Sequence, residues 1–166
     1  MHDGETIILD SGTTTAEIAR ALRKAELKSI NVITNALNVA ALLMDVPAVR
    51  LIMLGGILRR ESNSLSGPMA ATALANLQAD RLYLGADGLD PDIGVMTPHL
   101  QEAELNAQMM RVARQVVVVA DSSKLIRRNI SLIAKVEQIH MLISDVGAPP
   151  EAVEALRRRG VDVRLV

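Results

Sequence analysis

The chain has no cysteine, tryptophan or phenylalanine among its 166 residues, and Tyr83 is its one aromatic side chain. Without cysteine there is no disulfide framework, cysteine-held zinc, iron–sulfur site or thiol nucleophile. One aromatic ring cannot form the stacking platform that single-stranded nucleic-acid binders use. An excess of positive charge is missing as well, since 18 Lys and Arg face 19 Asp and Glu for a net charge of −1. That leaves no global electrostatic footprint for DNA. Long apolar runs are also lacking, and stretches such as Val116–Ala120 are far too short to span a bilayer. Met1-His2-Asp3-Gly4 is polar and unlike a signal peptide. His2 and His140 have no partners at metal-ligand spacing, so neither a metal site nor a cofactor is expected. What is present is aliphatic: 49% of the residues are hydrophobic, enough to bury a core. The expectation is one soluble, cytoplasmic domain over residues 1–166.

Short β-branched or leucine-rich runs recur at Thr6–Leu9, Asn31–Thr34, Arg50–Leu54, Arg81–Leu84, Val116–Ala120, Ile139–Ser144 and Asp162–Val166. Between most of them lie apolar stripes at helical spacing: Ala16, Ile18, Ala19 and Leu22, then Val39, Ala40, Leu42 and Leu43, then Met69, Ala73 and Leu77. Leu105, Met109, Val112 and Ala113 make a fourth stripe, and Val153 and Leu156 a fifth. Strand–helix alternation with nearly continuous apolar strands predicts an α/β fold, a mostly parallel sheet flanked by helices on both faces. Irregular stretches are expected at Arg59–Gly67, Gly85–Gln101 and Asp121–Val136. Ligands of such sheets bind beyond the carboxyl ends of the strands.

The residues at those strand ends are polar and small. Asp10-Ser11-Gly12-Thr13-Thr14-Thr15 joins the first strand to the first helix. Its hydroxyls beside a helix N-terminus favour a phosphate or carboxylate, although Ser and Thr also cap helices for purely structural reasons. Asn35 follows the second strand, Gly55-Gly56 the third and Gly85-Ala86-Asp87-Gly88-Leu89-Asp90 the fourth. The fifth ends in Ala120-Asp121-Ser122-Ser123-Lys124, where Lys124 can supply a cation for an anionic ligand. Each motif alone also reads as a cap, a hairpin turn, an Asp-rich turn or a solvated lysine. Their recurrence at strand after strand is what points to a ligand. Arg59 and Arg60 can clamp a phosphate or grip a neighbouring subunit, and Arg60 is the one taken for the site. A nucleotide or coenzyme A binder is disfavoured: there is no glycine fingerprint followed by a ribose-binding acid, and no aromatic to stack a base.

In the order and spacing of Asp10–Thr15, Thr34-Asn35, Gly55-Gly56, Gly85–Gly88 and Ala120–Lys124, the chain resembles the C-terminal effector-binding domain of DeoR-family bacterial transcriptional repressors. The resemblance covers nearly the whole chain. Within that family, Leu58-Arg59-Arg60-x-Ser62-x-Ser64 and Gly94-Val95-x-Thr97 look most like the regulators of N-acetylgalactosamine and galactosamine use. The resemblance implies a fold similar to ribose-5-phosphate isomerase and glucosamine-6-phosphate deaminase. It implies a phosphorylated sugar as effector, relief of repression on binding, and a homo-oligomer. DNA contact would belong to an N-terminal winged helix-turn-helix outside this chain. The expected effector site comprises Asp10, Ser11, Gly12, Thr13, Thr14, Thr15, Asn35, Gly55, Gly56, Arg60, Gly85, Asp87, Glu102 and Lys124. An active sugar-phosphate isomerase or deaminase is the alternative. In the isomerases a Glu takes the proton, and an ungapped register places that position at Asn106, which cannot. Glu102 lies one turn earlier on the same face and can compensate. The expectation is therefore a sensor with no catalytic residue.

Overall fold

In the computed structural model, which describes residues 1–166, the apolar runs form the strands expected of them. In chain order the first half holds β1 (Thr6–Leu9), α1 (Thr13–Leu22), β2 (Ile30–Thr34), α2 (Leu37–Leu43), β3 (Val49–Met53), β4 (Ile57–Arg59), β5 (Ser64–Ser66), α3 (Pro68–Leu74) and β6 (Ala79–Gly85). The second half holds β7 (Gly88–Asp90), β8 (Gly94–Thr97), α4 (Leu100–Val112), β9 (Ala113–Val119), β10 (Ser131–Ala134), β11 (Met141–Ser144), α5 (Pro150–Arg158) and β12 (Asp162–Leu165). A single turn of 3-10 helix spans Ser122–Lys124 and another Val136–Gln138.

Seven strands form one sheet in the order β12-β11-β9-β6-β1-β2-β3, with every neighbour parallel. Side chains alternate between its faces. Ile7, Leu9, Tyr83, Val117 and Val119 face one side, where Ala16, Ala19 and Leu22 of α1 and Val39 and Leu43 of α2 cover them. Ile8, Leu82, Leu84, Val116 and Val118 face the other, against Leu74, Met109 and Leu156 of α3, α4 and α5. Both faces are dry, which is why the central strands read as unbroken apolar runs.

From β1 the chain moves outward to β2 and β3, then returns to place β6 on the other flank of β1. The strand order therefore reverses between β1 and β6. A cleft opens at such a reversal because the connections leave the two strands in opposite directions. The carboxyl ends there are Asp10 and Gly85.

The three stretches expected to be irregular differ from that reading. Arg59–Gly67 carries the return strand of the β4–β5 hairpin. Gly85–Gln101 and Asp121–Val136 supply β7, β8 and β10, a three-stranded antiparallel sheet in the order β10-β8-β7. These strands are three or four residues long. Leu77 and Ala113 lie outside the helices expected to contain them, because α3 ends at Leu74 and β9 starts directly where α4 stops.

Candidate functional site

A cavity of about 300 Å³ sits over the β1–β6 reversal. The β1–α1 turn contributes Asp10, Ser11, Gly12, Thr13, Thr14 and Thr15 to its wall. Gly12 is the N-cap of α1, and no side chain caps the helix. The first backbone bond of the helix runs from Ala16 N–H to Gly12 O, so the amides of Thr13, Thr14 and Thr15 have no backbone acceptor. Among these hydroxyls only Thr15 Oγ1 is engaged, donating to Gly12 O at 3.1 Å. The loop thus offers free amides and hydroxyls at the positive end of a helix, a ready-made anion site.

Lys124, from the 3-10 turn after β9, lines the same cavity. It forms no ion pair, whereas Asp121 at the start of that turn accepts from Ser123 N–H at 3.0 Å. Lys124 therefore offers an uncompensated positive charge.

Three carboxyl groups meet in another part of the wall. Asp10 is 1% exposed. Its Oδ2 accepts from Gly85 N–H at 3.2 Å and from Asn106 Nδ2 at 3.3 Å. Gly85 must be glycine, because a Cβ there would stand 2.9 Å from Ser11 O. Burial, followed by the charges of Glu102 and Asp87, pushes the Asp10 carboxyl up to about 8, while the N–H groups of Ser11 and Gly85 pull it down. Thr97 Oγ1 donates to Asp87 Oδ2 at 3.1 Å and lies 3.4 Å from Glu102 Oε2. Arg59 Nη1 donates to Glu102 Oε2 at 2.8 Å, and Arg59 Nη2 donates to His99 Nε2. Glu61 lies 3.7 Å from the same guanidinium.

The structure therefore brings Asp10, Ser11, Gly12, Thr13, Thr14, Thr15, Gly85, Asp87, Glu102 and Lys124 to one cavity, as the sequence predicts. Four expected residues stand apart from its wall. Gly55 and Gly56 lead into the β4–β5 hairpin. Gly56 has φ 136° and its Cβ would stand 2.4 Å from Ser66 O, so hairpin closure accounts for it. Arg60 is exposed in the hairpin turn, while Arg59, one residue earlier in β4, points to the cavity. Asn35 is buried, and its Nδ2 donates to Leu65 O of β5 at 3.1 Å. It borders a neighbouring cavity of about 490 Å³, walled off by Arg59, His99 and Glu102. The cap-like role weighed for Asn35 falls to Thr34, whose Oγ1 accepts from Ala36 N–H and donates to Leu9 O. Asp90 pairs with Arg128 at 2.6 Å, away from the cavity. Arg59, Thr97, His99 and Asn106 are among the further residues of the wall. Of these, the sequence singles out Arg59 as a possible phosphate clamp, Thr97 within the Gly94-Val95-x-Thr97 resemblance and Asn106 through the isomerase register, although none of them is among the expected site residues.

Comparison with known proteins gives the family and the fold. The family model described as the DeoR C terminal sensor domain matches residues 1–146. A putative aga operon transcriptional repressor of Escherichia coli O157:H7 is 45% identical over 166 residues, covering 100% of this chain and 61% of that protein. The HTH-type transcriptional regulator GlpR of Haloferax volcanii is 35% identical over 98% of this chain and 63% of its own length. The HTH-type transcriptional repressor GlcR of Bacillus subtilis is 30% identical over 98% and 62%. The chain thus spans about three fifths of these curated relatives. Among solved structures, ribose 5-phosphate isomerase A of Methanocaldococcus jannaschii superposes with a TM-score of 0.52 at 21% identity, over 76% of this chain and 48% of the isomerase. The Pyrococcus horikoshii OT3 translation initiation factor eIF-2B gives 0.50 at 20%, over 80% and 44%. Those two likenesses establish the α/β fold. With the family model matched over most of the chain and curated regulators aligned along all of it, this chain belongs to the DeoR C-terminal sensor domain family.

Proposed function

We propose that the cavity binds a phosphorylated sugar and that this binding releases the intact regulator from DNA. One observation carries the reading: a single cavity combines the unpaired Lys124 and the free amides and hydroxyls of Ser11–Thr15 with the carboxyl groups of Asp10, Asp87 and Glu102. The first set suits a phosphate dianion. The second forms hydrogen bonds with hydroxyl groups, ionised carboxylates accepting and a protonated one donating. A wall without Phe, Tyr or Trp and a volume at the lower end of the range for ligand sites fit a small polyol. Release of DNA requires the ligand to prefer one arrangement of the intact protein over another. DNA contact falls to a part of the intact protein outside this chain, in keeping with relatives named as HTH-type regulators. Assembly into a homo-oligomer belongs to the same proposal, and sedimentation of the full-length protein checks it.

The domain senses the sugar phosphate without converting it. Removing a proton next to a carbonyl needs a base. Asn106 offers only a carboxamide, and Glu102 is held by Arg59. NMR of the domain incubated with aldose and ketose phosphates checks this, and product accumulation would contradict it. Calorimetry tests the phosphate assignment. Lys124→Ala removes a charge-assisted bond of about 1.5–3 kcal/mol, so affinity for sugar phosphates drops by roughly 10- to 100-fold. Unchanged affinity would take Lys124 out of the site.

A further inference from the structure

Two buried polar atoms on the cavity wall are left without a partner. Asn106, like Asp10, is 1% exposed. Gly85 N–H and Asn106 Nδ2 both donate to Asp10 Oδ2. Asp10 Oδ1 and Asn106 Oδ1 then have no partner in hydrogen-bonding geometry, although both residues line the cavity; the Ser11 N–H acts on the Asp10 carboxyl from outside that geometry. Buried polar atoms are paired in about 90% of cases or more. Two orphans on side chains that are themselves hydrogen-bonded together point to one ligand group that satisfies both.

The protonation of Asp10 decides which group that is. The negative groups on its cavity are Glu102 of α4, Asp87 after β6, Glu61 in the hairpin and Asp121 at the 3-10 turn. The positive or basic groups are Lys124 of that turn, Arg59 of β4 and His99 before α4. Arg59 is spent on Glu102 and His99. Asp10 therefore sits buried among carboxylates with no ion pair of its own. With its proton in place it holds Oδ1–H as a donor, and Asn106 Oδ1 is a free acceptor on the side chain bonded to it. A hydroxyl group, which both accepts and donates, matches that pair.

We propose that Asp10, protonated at Oδ1, and Asn106 together read one hydroxyl of the bound sugar phosphate: Asp10 Oδ1–H donates to the hydroxyl oxygen, and the hydroxyl donates to Asn106 Oδ1. The inference rests on the sugar-phosphate reading and deepens it. Binding then requires the protonated form of Asp10. Because that carboxyl is held up at about 8, affinity is level below this pH and falls about tenfold per unit above it.

Calorimetry between pH 6.5 and 9.5 tests this, with ribose 5-phosphate, glucose 6-phosphate, galactose 6-phosphate and inorganic phosphate as probes. The comparison is wild type against Asp10→Asn. The carboxamide keeps an acceptor for Gly85 and Asn106 and places an N–H where the acid O–H stood, but it does not titrate. For the sugar phosphate that binds best, wild-type affinity falls above pH 8 while the variant stays flat within about twofold. Inorganic phosphate, which does not reach Asp10, gives one profile in both proteins. Identical sugar-phosphate profiles in the two proteins would overturn the role of Asp10 and leave sugar-phosphate binding standing. Failure of all three sugar phosphates to bind would remove the functional reading and this inference with it. A second readout needs only the wild type. At pH 8.5, binding in two buffers of different ionisation enthalpy shows net proton uptake with the sugar phosphate. Zero uptake would overturn the proposal.

Discussion

A carboxylic acid surrounded by protein and by other carboxyl groups keeps its proton far above the usual range, and Asp10 keeps its own up to about 8. This has a consequence for stability. Below the ordinary value of 3.8 the folded and unfolded chains both hold the proton. As pH rises from there, the unfolded chain releases it and the folded chain does not. Stability then declines by at most about 1.4 kcal/mol per pH unit until the folded value is passed. Asp10→Asn removes the titration. In urea unfolding, the variant gains on the wild type from pH 4.5 to pH 7.5, by at most about 4 kcal/mol over that span. A difference that does not change with pH would show that Asp10 titrates normally. Residues whose role is local were legible in the sequence: Ser11–Thr15 follow directly from a strand end and a helix start. Arg59 and Arg60 were not separable, since only the pleat of β4 decides which of two adjacent arginines faces the cavity. Thr97 belongs to the Gly94-Val95-x-Thr97 pattern, but nothing local marks it or His99 as facing the cavity. Their place depends on how β8 leads into α4.

At the scale of elements, the seven strands of the main sheet were readable because each is an apolar run buried on both faces. The small sheets were not. Their strands are three or four residues long and contain Ser64, Ser66, Gly88 and Gly94, which give no hydrophobic period. Yet they shape the site. The β4–β5 hairpin is tied to the β2–α2 connection by Leu65 N–H to Asn35 O and Leu37 N–H to Asn63 O, both at 2.8 Å. That anchoring sets Arg59 against Glu102 and gives Asn35 Nδ2 a part in holding the hairpin, while Asn35 Oδ1 stays without a partner. Gly56→Ala tests the hairpin. The positive φ and the contact with Ser66 O predict a loss of about 1–3 kcal/mol, measured by urea unfolding. Arg59→Ala acts differently. Its ion pair is partly exposed, so stability changes by less than about 1 kcal/mol. Amide exchange in Ile57–Ser66 speeds up because the tie to α4 is gone. Unaltered exchange there would show that the guanidinium does not hold the hairpin.

For the whole molecule, the site follows from topology. Strand order reverses between β1 and β6, and the polar residues after those strands, together with those after β9 and at the start of α4, meet over the gap. The near-neutral charge and the single aromatic also take on a narrower meaning. They give this domain no basic surface or stacking platform for nucleic acid, in keeping with the proposal that DNA contact lies elsewhere in the intact protein. They also match a ligand held by hydroxyls, amides and charges with no stacking. The central claim is that this ligand carries a phosphate. Thermal unfolding with matched pairs of sugar phosphates and their unphosphorylated parents tests it most directly. At a hundredfold excess over the dissociation constant, the preferred sugar phosphate stabilises the domain by about 2.7 kcal/mol, which raises Tm by about 5–10 °C. The parent sugar leaves Tm unchanged. An equal rise with the parent, or none with any sugar phosphate, would contradict the account.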